Sequence, residues 1–232
     1  MQTLLNIFLE FHWTQLLQPQ WYIDNAGLWF IVFVVFAETG LFAGFFLPGD
    51  SLLFVAGIYN KDLVKAAFGF ESGFVLVNLL ILCVFIAVAA ILGNLFGYWF
   101  GKKSGPYLFE RKDTMLFKKK YLFQARDFYE KHGGRAIVIA RFIPIVRTFA
   151  PIIAGVVGMN RAKFAYYNII GSIAWVVSMT FGGHYLQTFI LEQFQFDLKQ
   201  HLEVIVLGIV FISTTPVLIK ILSRKKTKSS HE

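Results

Sequence analysis

From Gly73 to Gly101 no side chain is charged, and no other stretch limits the fold so tightly. A bilayer core needs ~20 apolar residues. At 1.5 Å per residue this run reaches ~40 Å, so it must tilt or protrude into the headgroups. Two more stretches predict full spans, about Phe164 to Leu191 and Val204 to Leu222. The whole chain agrees with them. Of its 232 residues 56% are hydrophobic and 16% charged, where a soluble domain carries about a quarter charged. A soluble globule is excluded, and the composition predicts an all-α integral membrane protein.

Two other apolar stretches are broken near their middles. Asn25 to Asn60 is interrupted by Leu47-Pro48-Gly49-Asp50, and Ala136 to Met159 by Pro144, Arg147 and Pro151. With Pro48, Gly49, Pro144 and Pro151 as breakers, each is a poor straight span and a better re-entrant hairpin, over 25–60 and 136–159. Non-helical backbone at that depth needs surrounding protein or a wet cavity.

Charge placement predicts the orientation. The first 60 residues hold four acids and no Lys or Arg, whereas Lys102 to Arg135 holds ten basic residues against four acidic ones. The tail 223–232 carries Arg224, Lys225, Lys226 and Lys228. Both basic regions belong in the cytoplasm by the positive-inside rule. The 192–203 loop, with Glu192, Asp197 and Glu203 against Lys199, belongs outside. The balanced 61–72 segment reads as a loop. The path closes only if the first hairpin enters from outside and the second from the cytoplasm. The net charge of +8 therefore comes from flanks of apolar spans, which excludes a nucleic-acid module. Residues 1–24 predict an interfacial amphipathic helix rather than a signal peptide, since Glu10 and His12 interrupt the apolar run. The basic segment 115–132 resembles it, and Gly133-Gly134 would end it.

The broken segments resemble each other. Phe45-Phe46-Leu47-Pro48 leads to Ala56-Gly57, and Arg141-Phe142-Ile143-Pro144 leads to Ala154-Gly155. Repeats entering from opposite faces characterise inverted-repeat transporters, which bind substrate where broken helices meet. Four ionisable groups fall inside the segments: Glu38 and Asp50 in the first, Arg141 and Arg147 in the second. Unpaired at a bilayer centre they would cost on the order of 10 kcal/mol. If the hairpin tips meet, the opposite signs neutralise one another or share a wet cavity. Pinning the hairpins together is one use of such pairs. The functional use assigns the guanidiniums of Arg141 and Arg147 to a phosphate headgroup and the carboxyls of Glu38 and Asp50 to proton coupling.

Other residues earn plainer readings. Gly93, Gly97, Gly101 and Gly105 form a small-xxx-small ladder, open either to an internal contact or to a homo-oligomer. Asn78, Asn94 and Asn168 predict interhelical hydrogen bonds, while Asn168 and Trp175 could also face a cavity. His184 is interfacial, His132 caps a cytoplasmic helix, and Cys83, the one cysteine, is a small apolar residue. No metal site, cofactor motif or Ser-His-Asp arrangement is present at usable spacing.

Three stretches together are similar to the DedA family of bacterial inner-membrane proteins, whose core is the VTT domain. They are Glu38 with Phe46-Leu47-Pro48-Gly49-Asp50-Ser51-Leu52-Leu53; Gly93-Asn94-x-x-Gly97-Tyr98-x-x-Gly101; and the run from Tyr129 and His132-Gly133 through Arg141, Pro144 and Arg147 to Ala154-Gly155, Met159, Phe164, Asn168, Gly171 and Trp175. The resemblance covers about residues 30–185. It implies a proton-motive-force-dependent lipid transporter, in some members one returning undecaprenyl phosphate to the cytoplasmic leaflet and in others one linked to phosphatidylethanolamine. It also implies that Glu38, Asp50, Arg141 and Arg147 are the essential residues.

The expected function is therefore a non-enzymatic flippase for undecaprenyl phosphate, with membrane lipids and protons as partners. A passive scramblase is the alternative and would tolerate Glu38→Gln. A lipid phosphatase lacks a nucleophile or a His inside the hairpins, and an assembly protein would bury the four charges as ion pairs alone.

Overall fold

A computed structural model describes residues 27–41, 49–70, 72–110, 127–129, 131–195, 197 and 198. The helix expected over 1–24, Pro48, most of the basic segment, the span 204–222 and the tail 223–232 lie outside them. Seven helices order the described chain: α1 (Gly27–Gly40), α2 (Gly49–Ile58), α3 (Asn60–Phe68), α4 (Val75–Glu110), α5 (Arg135–Ala140), α6 (Pro144–Val156) and α7 (Arg161–Phe194). The described residues contain no strand. Two helices, α4 and α7, are long and apolar enough to cross a membrane.

Each break in the apolar pattern has a local cause. Pro144 takes the first position of α6, where its missing N–H costs nothing. Gly49 opens α2 because a Cβ there would collide with the Glu38 carboxyl. Pro151, expected to interrupt the segment, instead lies inside α6. Its ring removes one hydrogen bond, but the helix is held from outside by tight packing on α4.

Three boundaries also differ from expectation. Residues 60–68 form α3 rather than a loop, because Leu63 and Val64 bury one face while Lys61, Asp62 and Lys65 stay exposed; Gly69, at φ 73°, caps it. The span ending at Gly101 continues as helix to Glu110, since Gly101 and Gly105 are seats for the α6 backbone and not breaks. Lys103 lies there with Nζ 5.3 Å from the Trp99 ring, a basic end folded back on its own aromatic. The second span runs from Arg161 to Phe194, and its start is fixed by Asn160, whose side chain accepts from the Lys163 N–H at 3.1 Å.

Contacts along the helices give their directions. Trp29 meets Phe85 and Gly40 meets Gly93, so α1 runs with α4. Pro151 meets Gly97 and Val156 meets Gly105, so α6 also runs with α4. Asp50 meets Trp175 and Gly57 meets Thr180, while Gly134 meets Tyr167 and Arg141 meets Ser172; α2 and α5 thus run with α7. Tyr98 stacks on Phe164 and Cys83 lies beside Thr180, so α4 and α7 are antiparallel. Within each broken segment the two short helices therefore run in opposite directions, and α5 runs opposite to α1.

The main core joins α1, α2, α3, α4 and α7 around Leu28, Val35, Leu53, Leu63, Leu82, Ile86 and Trp175. A smaller cluster of Tyr98, Ile137, Ala154 and Phe164 serves the second segment. The glycine ladder is spent inside the chain: Gly93 faces Phe36 and Thr39 of α1, and Gly101 and Gly105 face Ile152 and Val156 of α6. Asn78 does not bond across helices but closes the start of α4, donating to the Ser72 carbonyl at 3.0 Å and accepting its N–H at 3.1 Å. The segment before α5 ends as expected, at Gly133 with φ 59°. There the Tyr129 hydroxyl donates to the Ala150 carbonyl of α6 at 3.0 Å, and burial pushes its phenol pKa upward.

Candidate functional site

The residues flanking the two breaks converge. Glu38 ends α1 and Asp50 begins α2; Arg141 follows α5 and Arg147 lies in the first turns of α6. The Arg147 guanidinium bridges both acids, donating through Nη2 to Glu38 Oε1 and through Nη1 to Asp50 Oδ1. Glu38 is 2% exposed and Arg147 8%, so this three-residue ion pair is almost wholly desolvated. A buried pair of this kind repays its desolvation only with good geometry and further hydrogen bonds. Here one is missing: Arg147 Nε has no partner, while the Glu38 carboxylate is also met by the Gly49 backbone.

Arg141 is held differently. It is 4% exposed and donates through Nη2 to Asn168 Oδ1 at 2.7 Å and Ser172 Oγ at 2.6 Å. Both acceptors are neutral. Asn168 Oδ1 also accepts from Asn94 Nδ2 of α4 at 2.8 Å, and Asn168 Nδ2 donates to the Ile91 carbonyl at 3.2 Å. The network therefore ties the second break to both long helices without supplying a negative charge.

Trp175 joins the two arrangements. Its indole Nε1 donates to Asp50 Oδ1 at 2.9 Å, and the ring lies 5.0 Å from the Arg147 guanidinium carbon and 5.8 Å from that of Arg141. An indole face within ~6 Å attracts a cation, so one side chain touches the acid of one segment and both arginines of the other.

All four ionisable residues expected from the sequence thus gather at one place, together with Asn168 and Trp175. Gly49 and Pro144 flank the site as helix starts, and Pro151 lies a turn away on α6. Ser172 was not foreseen. The signal was present as the 168, 172, 175 spacing, which puts three polar-capable side chains on one helical face. As a set, two carboxylates and two guanidiniums balance. Protonating one carboxyl would leave the site with one positive charge, which suits a monoanionic phosphate. Among the described residues no three His, Cys, Asp or Glu side chains gather as metal ligands.

Comparison with known proteins follows the same residues. Residues 47–185 match the VTT domain. Protein DedA of Escherichia coli strain K12 is 38% identical over 207 residues, 88% of this chain and 87% of the relative. An uncharacterized membrane protein of Mycobacterium tuberculosis strain H37Rv is 35% identical over 210 residues, 88% and 85% of the two chains. Inner membrane protein YqjA of Escherichia coli strain K12 is 34% identical over 183 residues, 75% and 78%. No solved structure matches. The helix breaks, the charges they carry and these relatives lead to one conclusion: the chain belongs to the DedA family of VTT-domain membrane proteins.

Proposed function

We propose that this protein moves a lipid with an anionic phosphate headgroup between leaflets, undecaprenyl phosphate above all, in company with a proton. In this reading the two broken segments are re-entrant hairpins related as an inverted repeat, entering from outside and from the cytoplasm. The opposite running of α1 and α2, and of α5 and α6, supports it. The observation that carries the reading is the unequal treatment of the two arginines. Arg147 is neutralised by Glu38 and Asp50, whereas Arg141 bonds only neutral side chains. Arg141 is therefore the headgroup site and Arg147 the proton-sensitive latch.

The chemistry follows from charge balance. A proton on Glu38 loosens its hold on Arg147, and Oε2, the oxygen that Arg147 does not engage, is the natural acceptor. The site then carries one net positive charge, and a phosphate monoanion restores neutrality. Proton and lipid enter together and leave together, because either alone leaves a net charge in a low-dielectric interior. An inward proton gradient then drives the lipid toward the cytoplasmic leaflet. No step in this reading alters the lipid covalently, which describes a transporter rather than an enzyme.

The test is leaflet-to-leaflet movement of labelled undecaprenyl phosphate in proteoliposomes, with and without a pH gradient and with phosphatidylethanolamine as competing cargo. Wild type should move the polyprenyl phosphate faster with the gradient. Arg141→Ala should lose movement at least tenfold, and Glu38→Gln should lose the gradient response. Equal movement of both lipids without a gradient, unchanged in Glu38→Gln, would instead describe a scramblase and overturn the proposal.

A further inference from the structure

The two long helices end alike at one side of the molecule. Along α4 the exposed Val88, Leu92 and Phe96 give way to Trp99 and then to Lys102 and Lys103. Followed against the chain, α7 passes from the exposed Ile173 and Ile170 to Tyr166 and then to Lys163 and Arg161. On both helices the order is apolar, aromatic, basic. A span leaving a hydrocarbon core meets the headgroups in that order, with aromatic rings at the boundary and long basic side chains reaching past it.

Packing sets the two helices at one level. The Tyr98 ring stacks on Phe164 with centroids 4.6 Å apart, and its hydroxyl donates to the Met159 carbonyl. From that contact Lys102 and Lys103 lie ~6–7.5 Å outward along α4, and Lys163 and Arg161 lie ~1.5–4.5 Å outward along α7. Gly134 sits against the Tyr167 ring, which brings Lys131 and Arg135 to the same end. All six basic residues are exposed, and Asp127 is the one acid among the described side chains of this end. The opposite end is different: there, among the described side chains, Lys61 and Lys65 face Asp62, Glu192 and Asp197. Lys103 keeps its Nζ 5.3 Å from the Trp99 ring, so its charge stands at the level of the boundary aromatics.

We propose that this end is a binding surface for anionic phospholipids of the leaflet it meets, with phosphates held by Lys102, Lys103, Arg161 and Lys163 and upper chains lying on Trp99 and Tyr166. An acidic protein or a nucleic acid would satisfy the cations but leave the rings and the apolar face beneath them uncovered. A phospholipid carries phosphate and chains in one molecule and covers both. Basic clusters of this kind at the ends of spans are where anionic headgroups bind. The surface is exposed and lies ~7.5–12 Å along the helices from Asn168 and Asn94. It is therefore separate from the buried charged site, and it does not depend on what the protein transports.

Trp99 is the probe. The full chain is reconstituted into phosphatidylcholine vesicles in which a fraction of the lipid carries bromine on its chains, either as phosphatidylglycerol or as phosphatidylcholine. Bromine quenches an indole that it touches, and the Trp99 signal is the difference between wild type and Trp99→Phe. Both leaflets have one composition, so the direction of insertion does not matter. Trp99 should prefer phosphatidylglycerol at least threefold, and the preference should fall with added salt because exposed charges are screened. Lys102→Gln with Lys103→Gln, both exposed positions, should bring it to parity. At the opposite end Phe74 is 77% exposed, and a Phe74→Trp probe in a Trp99→Phe chain should show no preference. Equal quenching by the two lipids at Trp99, or a preference that survives the double substitution, overturns the surface. An equal preference at position 74 overturns it too, since net charge alone would then account for the effect. Displacement of the phosphatidylglycerol by inorganic phosphate at constant ionic strength would reveal a free-anion site and count equally against it.

Discussion

The two broken segments are built alike and used differently. In each, the first short helix packs on the long helix of its own half, α1 on α4 and α5 on α7. The second crosses to the other half, α2 on α7 and α6 on α4. Each carries an Ala-Gly where its second helix touches backbone: Gly57 faces the Thr180 carbonyl, and Gly155 faces the Tyr98 carbonyl. The charges break this likeness. The first segment brings two acids and the second two arginines, and one arginine takes both acids. A fold that treated the halves equally would have made two ion pairs. Its failure to do so leaves Arg141 as a buried cation held by amide and hydroxyl oxygens.

That inequality predicts the largest effect. Removing Arg147 leaves Glu38 and Asp50 facing each other with no cation between them, and breaking a buried pair in this way costs about 3–5 kcal/mol. Arg147→Met should therefore lower thermal stability in detergent sharply and leave little folded protein. Arg141→Met removes a charge that makes no direct ion pair and feels Glu38 only at longer range. Relief of its desolvation offsets the lost hydrogen bonds, so stability should change by less than about 1.5 kcal/mol. Melting curves of the two purified variants decide the matter. Equal losses would mean that the acids are shared between the arginines and that the division of roles is wrong.

The next comparison tests the likeness rather than the difference. A methyl group at Gly57 or Gly155 would press on a backbone carbonyl that cannot move aside. Overpacking of this kind typically costs 1–3 kcal/mol. Gly57→Ala and Gly155→Ala should each destabilise by about that amount, within a factor of two of one another. Gly182→Ala, on α7 with open space around it, should be neutral or gain a little helix propensity. Thermal unfolding of the three variants reads the outcome, and a large loss at one repeat glycine alone would break the pseudo-symmetric packing.

The membrane class, the two described spans and the residues of the charged site were legible because each rests on a short-range rule. An uncharged run of residues 73–101 must be buried in lipid or protein, and four charges within apolar segments must find partners. The likeness of the two segments was legible through Gly57 and Gly155, each of which meets the backbone of a long helix. What escaped needed three-dimensional register. Nothing in one dimension says that Arg147 reaches both acids while Arg141 reaches neither, since that depends on how α6 crosses to α4. Asn78 looked like an interhelical donor because its neighbours are apolar, yet Ser72 lay close enough in the chain to satisfy it locally. Pro151 looked like a break because propensity scales describe isolated helices, and here tertiary contacts overrule propensity.

The smallest predicted effect concerns the tie between the basic segment and the second broken segment. The Tyr129 hydroxyl donates to the Ala150 carbonyl, and its burial disfavours the charged phenolate, so the group stays a neutral donor across the physiological range. Tyr129→Phe keeps the ring and removes one hydrogen bond, a loss of about 1 kcal/mol. A neutral donor has no charge to gain or lose, so the loss should be the same at pH 6 and pH 8. This bond reaches α6 alone, so the variant should loosen only residues 135–156. Hydrogen exchange of the intact protein in detergent would register this as faster exchange over α5 and α6 with α1 and α2 unchanged. Faster exchange in both segments would mean instead that the two tips open as one unit, coupled through Arg147.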